Sequence, residues 1–325
     1  MRNRYDQNKE IRYITTNLCN MARMNMQIFE ENYQQQFAAK KDPKQKVRKA
    51  QKVYIIHPCN LVNKEHINIE QLKKADKVVI LGCYRKDDFK ELDNVEYWNI
   101  KDIQTKAERL VFRQGDYAEV RVNYGCNQSC SFCPIKRNEN YDRPIQELVN
   151  DIGDAKRVKL SSDDLASYKY GLVELMEALP DKHIELTYVY PTYLVKHKDY
   201  FIANKHRIDI MIPMQSGSER ILKLMNRGDY TVDEVVDVVK KLNKVSCHFI
   251  YGSPTETWDE FMMTFNIEKY FANPHWFKYQ SYEGTKWHKE YGFTTSPEIE
   301  KMEKFLIAHS KGGVIDWGKN KTINR

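Results

Sequence analysis

Strands and helices that alternate along the sequence predict an α/β protein with two parallel sheets. Short apolar runs bounded by polar or turn residues recur through the chain, and amphipathic stretches separate the later ones. The 325 residues, of which 41% are hydrophobic, suffice for two domains. We therefore predict a small N-terminal Rossmann-like domain with a parallel sheet, followed by a partial (βα)6 barrel of TIM type.

The first four apolar runs predict the strands of the N-terminal domain. They are IRYITTN, VYIIHP, KVVILGC and VEYWNI, at residues 11–17, 53–58, 77–83 and 95–100. Helical or loop segments lie between them, which is typical of a parallel α/β unit. We assign this domain to residues 1–108.

Six further runs predict the strands of the barrel, at residues 118–125, 157–162, 183–189, 208–214, 245–252 and 275–282. The amphipathic stretches between them include PIQELVNDI, YGLVELMEAL and VDEVVDVVKKL. Six βα units indicate a barrel over residues 109–310 that is open on one side, since a closed barrel needs eight units. Residues 311–325 are too short for another β-domain and are expected to form a C-terminal tail.

Composition indicates a cytoplasmic protein without a membrane segment. No apolar run approaches the roughly 18–20 residues of a membrane span, and the polar N-terminus lacks the apolar core of a signal peptide. The net charge of +7 arises in the first 60 residues, where Lys40 to Lys52 includes seven basic residues and one acid. Such a run either attracts phosphate backbones or forms a solvated surface.

A compact cysteine motif, CNQSCSFC, follows the first predicted barrel strand. Its cysteines are Cys126, Cys130 and Cys133, a C-x3-C-x2-C spacing. A loop of this kind can hold three irons of a 4Fe–4S cluster and leave the fourth iron open to a ligand. The alternatives are a zinc site or buried cysteines, but a zinc ribbon needs a second ligand pair and none follows.

The other four cysteines lie in or after predicted strands. Cys19, Cys59 and Cys83 fall at the C-terminal ends of three strands of the first domain, which meet at one edge of a parallel sheet. They can bind a second cluster with an open iron, or each can be a small buried side chain. Cys247 lies within a strand and is predicted to be a buried thiol.

Taken in order, these motifs resemble the radical S-adenosylmethionine (SAM) methylthiotransferases, both the tRNA-methylthioadenosine synthase type and the ribosomal S12 type. Blocks of the first domain that resemble the family are ITTNLCNMARMNMQIFE, IIHPCNLVNKEHI and VVILGCYRKDDFKEL. Barrel blocks are VRVNYGCNQSCSFCPIKRNENYDRPIQELVNDI, KLSSDDLASYKYG, IPMQSGSERILKLMNRGDYT, IYGSPTETWDEFMMT and YQSYEGT. The sequence departs from the family in a shorter gap between Cys59 and Cys83, in Thr255 where a glycine is usual, and in lacking the C-terminal TRAM domain.

The resemblance implies an enzyme with two 4Fe–4S clusters and SAM as cofactors. Cys126, Cys130 and Cys133 would hold the catalytic cluster, which generates a 5′-deoxyadenosyl radical from SAM. Cys19, Cys59 and Cys83 would hold the second cluster, which is associated with the sulfur that is methylated and transferred. An electron donor such as flavodoxin or ferredoxin is expected, as is a monomer without membrane contact.

For the substrate, the sequence favours a modified adenosine next to the tRNA anticodon. The QSGS segment resembles the branch that acts on tRNA, and the basic N-terminal run suits an RNA partner. The missing TRAM domain instead favours a protein side chain, such as an aspartate of ribosomal protein S12. A non-enzymatic iron–sulfur sensor that binds nucleic acid is a further alternative, and such a sensor would need no SAM pocket.

Six residues near strand ends are predicted to contact SAM: Phe132, Ser162, Asp163, Gln215, Ser216 and Glu256. Phe132 precedes the last cysteine of the motif and suits a loop that packs over an adenine. The Ser-Asp pair, with Asp164 after it, can equally form a helix N-cap and an acidic first turn. Glu256 can equally be a residue of a first helical turn.

Overall fold

The computed structural model describes residues 9–15, 51–57, 67–81, 89–98, 111–135, 140–316 and 321–323. The chain divides into two compact units, Met1–Leu110 and Val111–Arg325. Cys19, Cys59 and Cys83 lie outside the described residues. In the part of the chain that is described, no helix has the length and apolar character needed to cross a membrane.

Among its described residues, the N-terminal unit contains a sheet of four parallel strands in chain order: β1 Lys9–Thr15, β2 Gln51–His57, β3 Lys77–Leu81 and β4 Val95–Trp98. Helix α1, Ile69–Leu72, follows β2 and is capped by the Asn68 side chain. Nearly every side chain of β3 is buried, which is typical of a parallel strand covered on both faces. The predicted parallel sheet of the first domain is confirmed.

The second unit has eleven strands among its described residues. They are β5 Val111–Gln114, β6 Tyr117–Arg121, β7 Asn123–Tyr124, β8 Tyr141–Asp142, β9 Arg157–Ser161, β10 His183–Leu186, β11 Ile208–Gln215, β12 Val245–Tyr251, β13 Asn273–Lys278, β14 Gly313–Asp316 and β15 Lys321–Ile323. Nine of these form one sheet in the order β15-β14-β13-β12-β11-β10-β9-β6-β5, and β7 pairs with β8. The pairs from β6 to β14 are parallel, whereas β5 and β15 are antiparallel at the edges.

Helices connect the parallel strands, as the α/β class requires. They are α2 Ile145–Ile152, α3 Leu172–Glu177, α4 Pro191–Lys196, α5 Lys198–Ala203, α6 Glu219–Leu224, α7 Val232–Val239, α8 Trp258–Ile267, α9 Lys286–Tyr291 and α10 Ile299–His309, with 3-10 turns at Leu165–Ser167 and Glu268–Tyr270. Capping boxes at Thr231 and Thr257 start α7 and α8.

Burial alternates along β11 and β12, so each strand has one face in the core and one face opposite to it. Ile210, Ile212 and Phe249 pack into the core together with residues of the helices. Cys247 belongs to this core and is fully buried, as predicted. The intervening side chains, such as His248, lie on the other face of the sheet and are only partly buried.

The structure differs from the sequence prediction at the two ends of the barrel. The predicted strand 118–125 is divided between β6 and β7. Residues 311–325 do not form only a tail, because β14 continues the sheet next to β13 and β15 pairs with β14. Gly312 makes this possible, since a side chain there would meet the Pro274 carbonyl oxygen. In the part of the chain that the structure describes, the sheet therefore has seven parallel strands rather than six.

Candidate active site

The predicted cluster cysteines lie on the loop that follows β7, after the first parallel strand of the barrel. Cys126, Cys130 and Cys133 are free and partly buried. The loop turns back on itself where the Cys133 amide donates to the Cys130 carbonyl at 3.2 Å. All three thiols are thus presented by one short segment at the C-terminal end of the sheet, where barrels of this kind carry their active sites.

Two distant segments hold this loop by hydrogen bonds. The Ser131 amide donates to the Met225 carbonyl, and the Trp287 amide donates to the Ser131 carbonyl, both at 2.9 Å. The Asn226 side-chain amide donates to the carbonyl and the hydroxyl of Ser129 at 3.1 and 2.6 Å. The loop is therefore fixed from the end of α6 and from the start of α9.

Phe132 packs into an apolar cluster beneath the same loop. Its ring lies 5.8 Å from that of Trp287, in contact with the cluster that includes Ile221, Met225 and Tyr279. The structure thus gives Phe132 a packing role within the loop. Its predicted contact with an adenine stays a prediction.

The environment of Cys126 and Cys133 favours the neutral thiol in the absence of a metal. Burial, with the nearby Asp164 carboxylate, raises the pKa of Cys126 to about 12, and burial raises that of Cys133 to about 12. Cys130 and Cys133 contribute to the pKa shift of Cys126, and Cys130 contributes to that of Cys133, so the thiols lie close enough to repel one another as thiolates. Metal coordination reverses this balance, because a coordinated thiol is deprotonated outright.

This donor set fits an iron–sulfur cluster better than a single ion. Among the described residues, no three cysteine, histidine or acidic side chains come close enough to hold one metal ion. A cluster of four irons spaces its ligands more widely, and three thiolates leave one iron open. Backbone amides also donate to the sulfurs, from Gln128 to Cys126 at 3.4 Å and from Ile135 to Cys133.

Arg227 is a site residue that the sequence reasoning did not single out. It is 3% exposed, and its Nη1 lies 3.3 Å from the Cys130 sulfur. Its Nη2 donates to the Pro213 carbonyl at 2.5 Å, which ties the cysteine loop to β11. Arg227 lies in the segment IPMQSGSERILKLMNRGDYT, which resembles the family. An arginine followed by Gly-Asp in that segment was the one signal in the sequence that could have indicated a site residue.

The Ser162-Asp163-Asp164 group lies beside Cys126 and is fully engaged with the protein. Asp163 forms a 2.7 Å ion pair with Arg121 and accepts from the Gly125 amide at 2.9 Å. Asp164 accepts from the Ala166 amide and so caps the 3-10 turn, and its second oxygen lies 3.7 Å from the Cys126 sulfur. Asp164 is thus a capping residue, as the alternative prediction had it, and its carboxylate positions the first cysteine of the motif. The predicted contact of Ser162 and Asp163 with SAM stays a prediction.

Gln215 and Ser216 follow directly at the C-terminal end of β11. Gln215 has a φ of 72°, and its buried Oε1 has no hydrogen-bond partner. Ser216 is completely buried, with its hydroxyl 3.3 Å from that of Thr264 in α8. Gly217 is needed here because a Cβ atom would lie 2.8 Å from the backbone of α8. The Gln215 oxygen thus lacks a partner within the protein and its SAM contact stays a prediction, whereas Ser216 fastens the strand end to a helix.

Glu256 lies beyond the end of the neighbouring strand β12, before the capping residue of α8 rather than in its first turn. Its Oε2 accepts from the amides of Gly252 and Ser253 at 2.7 and 3.0 Å, and its Oε1 is buried without a partner. Burial raises the pKa of Glu256 to about 8. The Ser253 hydroxyl is also buried and unpaired.

These unpaired atoms fit a polar ligand at the ends of β11 and β12. A buried oxygen without a partner costs roughly 1–3 kcal/mol, which a ligand that donates hydrogen bonds would recover. The amino and hydroxyl groups of SAM are donors of this kind. A separate open cavity of about 480 Å³ borders the cysteine loop; it is lined by polar residues that include Gln128, Ser129, Lys223 and Asp229.

Comparison with known proteins identifies the domain that this geometry suggests. Residues 120–267 match the model of the Radical SAM superfamily. Among solved structures, the radical S-adenosylmethionine methyltransferase TsrM from Kitasatospora setae has a TM-score of 0.54 at 10% sequence identity, over 85% of this chain and 76% of that chain. At this identity the likeness concerns the fold alone.

Curated relatives that match most of the chain are methylthiotransferases of two kinds. The chain is 30% identical over 276 residues to the ribosomal protein uS12 methylthiotransferase RimO of Aquifex aeolicus, which covers 71% of this chain and 63% of that protein. It is 28% identical over 250 residues to the tRNA-2-methylthio-N(6)-dimethylallyladenosine synthase of Ehrlichia chaffeensis, over 67% of this chain and 55% of that protein. The chain thus spans less than two thirds of either relative.

The open sheet of parallel strands and the three-cysteine loop after its first strand define a radical SAM domain. Residues 120–267 match the Radical SAM superfamily, and the relatives that the chain matches are methylthiotransferases, which confirms the resemblance seen in the motifs. A radical SAM domain implies one 4Fe–4S cluster and SAM. The loop of Cys126, Cys130 and Cys133 provides suitable ligands for that cluster.

Proposed function

We propose that the chain is a radical SAM methylthiotransferase, which replaces a C–H bond of its substrate by C–S–CH3. The observation that carries the proposal is the loop of three free cysteines in a chain whose relatives are methylthiotransferases. When bound, the cluster and SAM supply a radical that removes a hydrogen atom from the substrate. A low-potential donor such as flavodoxin or ferredoxin provides the electron, and the protein acts as a monomer.

In this proposal, the protein's own residues bind and orient the two cofactors. Thiolates of Cys126, Cys130 and Cys133 hold three irons. The unpaired oxygens of Gln215 and Glu256 accept hydrogen bonds from SAM. Because the pKa of Glu256 is about 8, this carboxyl is mostly protonated at neutral pH and can also donate through Oε1.

Methylthiolation also requires a source of sulfur, and we assign it to a second cluster on Cys19, Cys59 and Cys83. Strands β1, β2 and β3 are adjacent and parallel, so their C-terminal ends lie at one edge of the sheet. In sequence, each cysteine follows the last residue of its strand by two to four positions. The order of the strands therefore supports a shared site for these cysteines.

For the substrate we favour a nucleobase, the modified adenosine next to the tRNA anticodon. On the face of the sheet opposite the core, the ring of His248 lies 5.3 Å from Tyr188, 5.6 Å from His275 and 4.6 Å from Phe277. Burial, and then the neighbouring His275, lowers the pKa of His248 to about 3, and burial lowers that of His275. These rings are inclined to that of His248 by 57–89° and form an uncharged aromatic cluster, which suits an aromatic base better than a carboxylate.

A protein side chain is the second candidate. The relative with 30% identity acts, by its name, on ribosomal protein uS12. An aspartate substrate would need a cation near its carboxylate, whereas the histidines of the ring surface are neutral.

Iron analysis after anaerobic reconstitution tests the chemistry. We expect about eight irons per chain, falling to about four when Cys19, Cys59 and Cys83 are replaced together by alanine. The matched variant replaces Cys126, Cys130 and Cys133 and should lose the other four. About four irons in the intact chain would contradict the methylthiotransferase proposal.

Mass spectrometry tests the substrate. The reconstituted chain, SAM and dithionite are incubated with an anticodon stem-loop RNA that contains the modified adenosine, or with ribosomal protein S12. We expect the RNA to gain one sulfur and one CH2, with no change in the protein. If only the protein gains this mass, the substrate is the protein side chain and not the adenosine. If neither gains it, both candidate substrates are rejected.

A further inference from the structure

Arg227 is a buried cation beside the cysteine loop. Its guanidinium contacts the Cys130 sulfur, the Pro213 carbonyl and, through Nε at 3.3 Å, the Tyr230 hydroxyl. The rings of Tyr190 and Tyr230 lie 4.3 and 5.8 Å from its Cζ. An arginine remains charged at all ordinary pH values, so this is a permanent positive charge in the protein interior.

In the described part of the chain, no carboxylate oxygen lies within ion-pair distance of Arg227. A buried charge without a direct ion-pair partner is costly. The more distant Asp164 carboxylate, the tyrosine rings and the carbonyl offset only part of that cost. Two ionisable groups lie at hydrogen-bond distance, the Tyr230 hydroxyl and the Cys130 thiol, and the thiol is the one that iron binding converts into an anion. Once Cys130 is an iron ligand it is a thiolate, and the contact becomes a charge-assisted hydrogen bond.

We propose that Arg227 raises the reduction potential of the cluster held by Cys126, Cys130 and Cys133, through its hydrogen bond to the Cys130 sulfur. Reduction adds one electron from an external low-potential donor and no proton, so the cluster and its sulfurs become more negative by one charge. A fixed positive charge 3.3 Å from one ligand sulfur, in a poorly solvated setting, stabilises the reduced form. Arg227 is thus a positioning residue that makes the first electron transfer easier.

This role depends on the cluster assignment of the three cysteines and not on the substrate or on methylthiolation. It can therefore fail while the proposed function holds, and the reverse is also true. The measurement is the midpoint potential of the cluster, which does not require turnover. A residue that served only to pack the loop would leave this potential unchanged in any variant that still binds the cluster.

The test is a potentiometric titration of the anaerobically reconstituted full chain, followed by electron paramagnetic resonance with dithionite as reductant. Arg227→Gln removes the positive charge, and Arg227→Lys keeps the charge but lacks the planar guanidinium group. Arg220→Gln is the matched control. Arg220 pairs with Glu260 and has no hydrogen bond to a cysteine in the described part of the chain. We expect a more negative midpoint potential for Arg227→Gln, a smaller shift in the same direction for Arg227→Lys, and the wild-type value for the control.

An Arg227→Gln protein that binds the full cluster and has the wild-type potential would overturn the proposal. If it had that potential but bound SAM more weakly, Arg227 would belong to the SAM site instead. If Arg227→Gln does not bind the cluster, the decision rests on Arg227→Lys, and an unchanged potential in that variant overturns the proposal equally.

Discussion

Glu256→Gln should abolish a specific pH dependence of the stability of the barrel unit. Glu256 is 2% exposed, and burial raises its pKa from the ordinary 4.5 to about 8. Between these two values the folded protein holds a proton that the unfolded chain has lost. Folding stability is therefore fully present near and below pH 4.5 and declines as the pH rises toward 8. Glutamine does not titrate, so the variant should lack this decline.

The size of the effect follows from the pKa shift. One proton of difference changes the free energy of unfolding by about 1.4 kcal/mol per pH unit. From pH 5 to pH 7, Glu256 should thus lower stability by roughly 2–3 kcal/mol. For a domain of 150–250 residues, this corresponds to a fall in Tm of about 5–10 °C relative to the variant.

Thermal unfolding of the wild type and the variant at several pH values between 5 and 8 measures this difference. Glu260→Gln is the control, because its pKa is lowered to about 2, chiefly by its hydrogen bond with Arg220. The stability that Glu260 contributes is present above pH 4.5 and is lost only below it, so this control should differ from the wild type by a constant amount. Parallel Tm curves for the wild type and Glu256→Gln would refute the assignment of a neutral buried carboxyl.

Two further predictions concern the segments that hold the site together. Gly217→Ala places a Cβ atom 2.8 Å from the backbone of α8 and should lower the free energy of unfolding by about 1–3 kcal/mol in denaturant titrations. Gly228→Ala, whose Cβ meets only a lysine side chain at 3.2 Å, should stay within about 0.5 kcal/mol of the wild type; equal losses in both would contradict the steric argument. Asn226→Gly keeps the left-handed backbone at φ 59° but removes both hydrogen bonds to Ser129. It should reduce the iron bound by the Cys126, Cys130 and Cys133 loop on reconstitution, and unchanged iron content would show that the loop does not need this anchor.

The strands of both sheets could be predicted because parallel strands carry their signal locally. Most side chains of β3 are buried, so the run KVVIL is apolar throughout and is recognisable without its neighbours. In β11 and β12, the alternation of buried and partly buried residues has the period of a strand. The cysteine loop could be predicted for the same reason, since all three thiols fall within eight consecutive residues.

What the sequence did not reveal depends on contacts between distant segments. Arg227 and Cys130 are 97 residues apart, and no local pattern distinguishes a buried arginine from an exposed one. Strand β14 has only four residues, and its place in the sheet follows from pairing with β13. The contacts of Ser216 and Asp163 are also with residues far away in the sequence. The sequence therefore could not distinguish these two residues from Gln215 and Glu256, each of which has one buried side-chain oxygen without a partner.

Backbone strain in the described residues is concentrated where the site is proposed. Four residues other than glycine have positive φ: Tyr188 after β10, Gln215 at the end of β11, Thr255 after β12, and Asn226, which holds the cysteine loop. Each such conformation costs roughly 1–3 kcal/mol, and three of the four follow consecutive strands of the sheet. The unpaired oxygens of Gln215 and Glu256 lie at the same strand ends. A protein shaped by stability alone would not accumulate both costs at one edge of a sheet, which supports the proposal that SAM binds there and recovers part of that free energy.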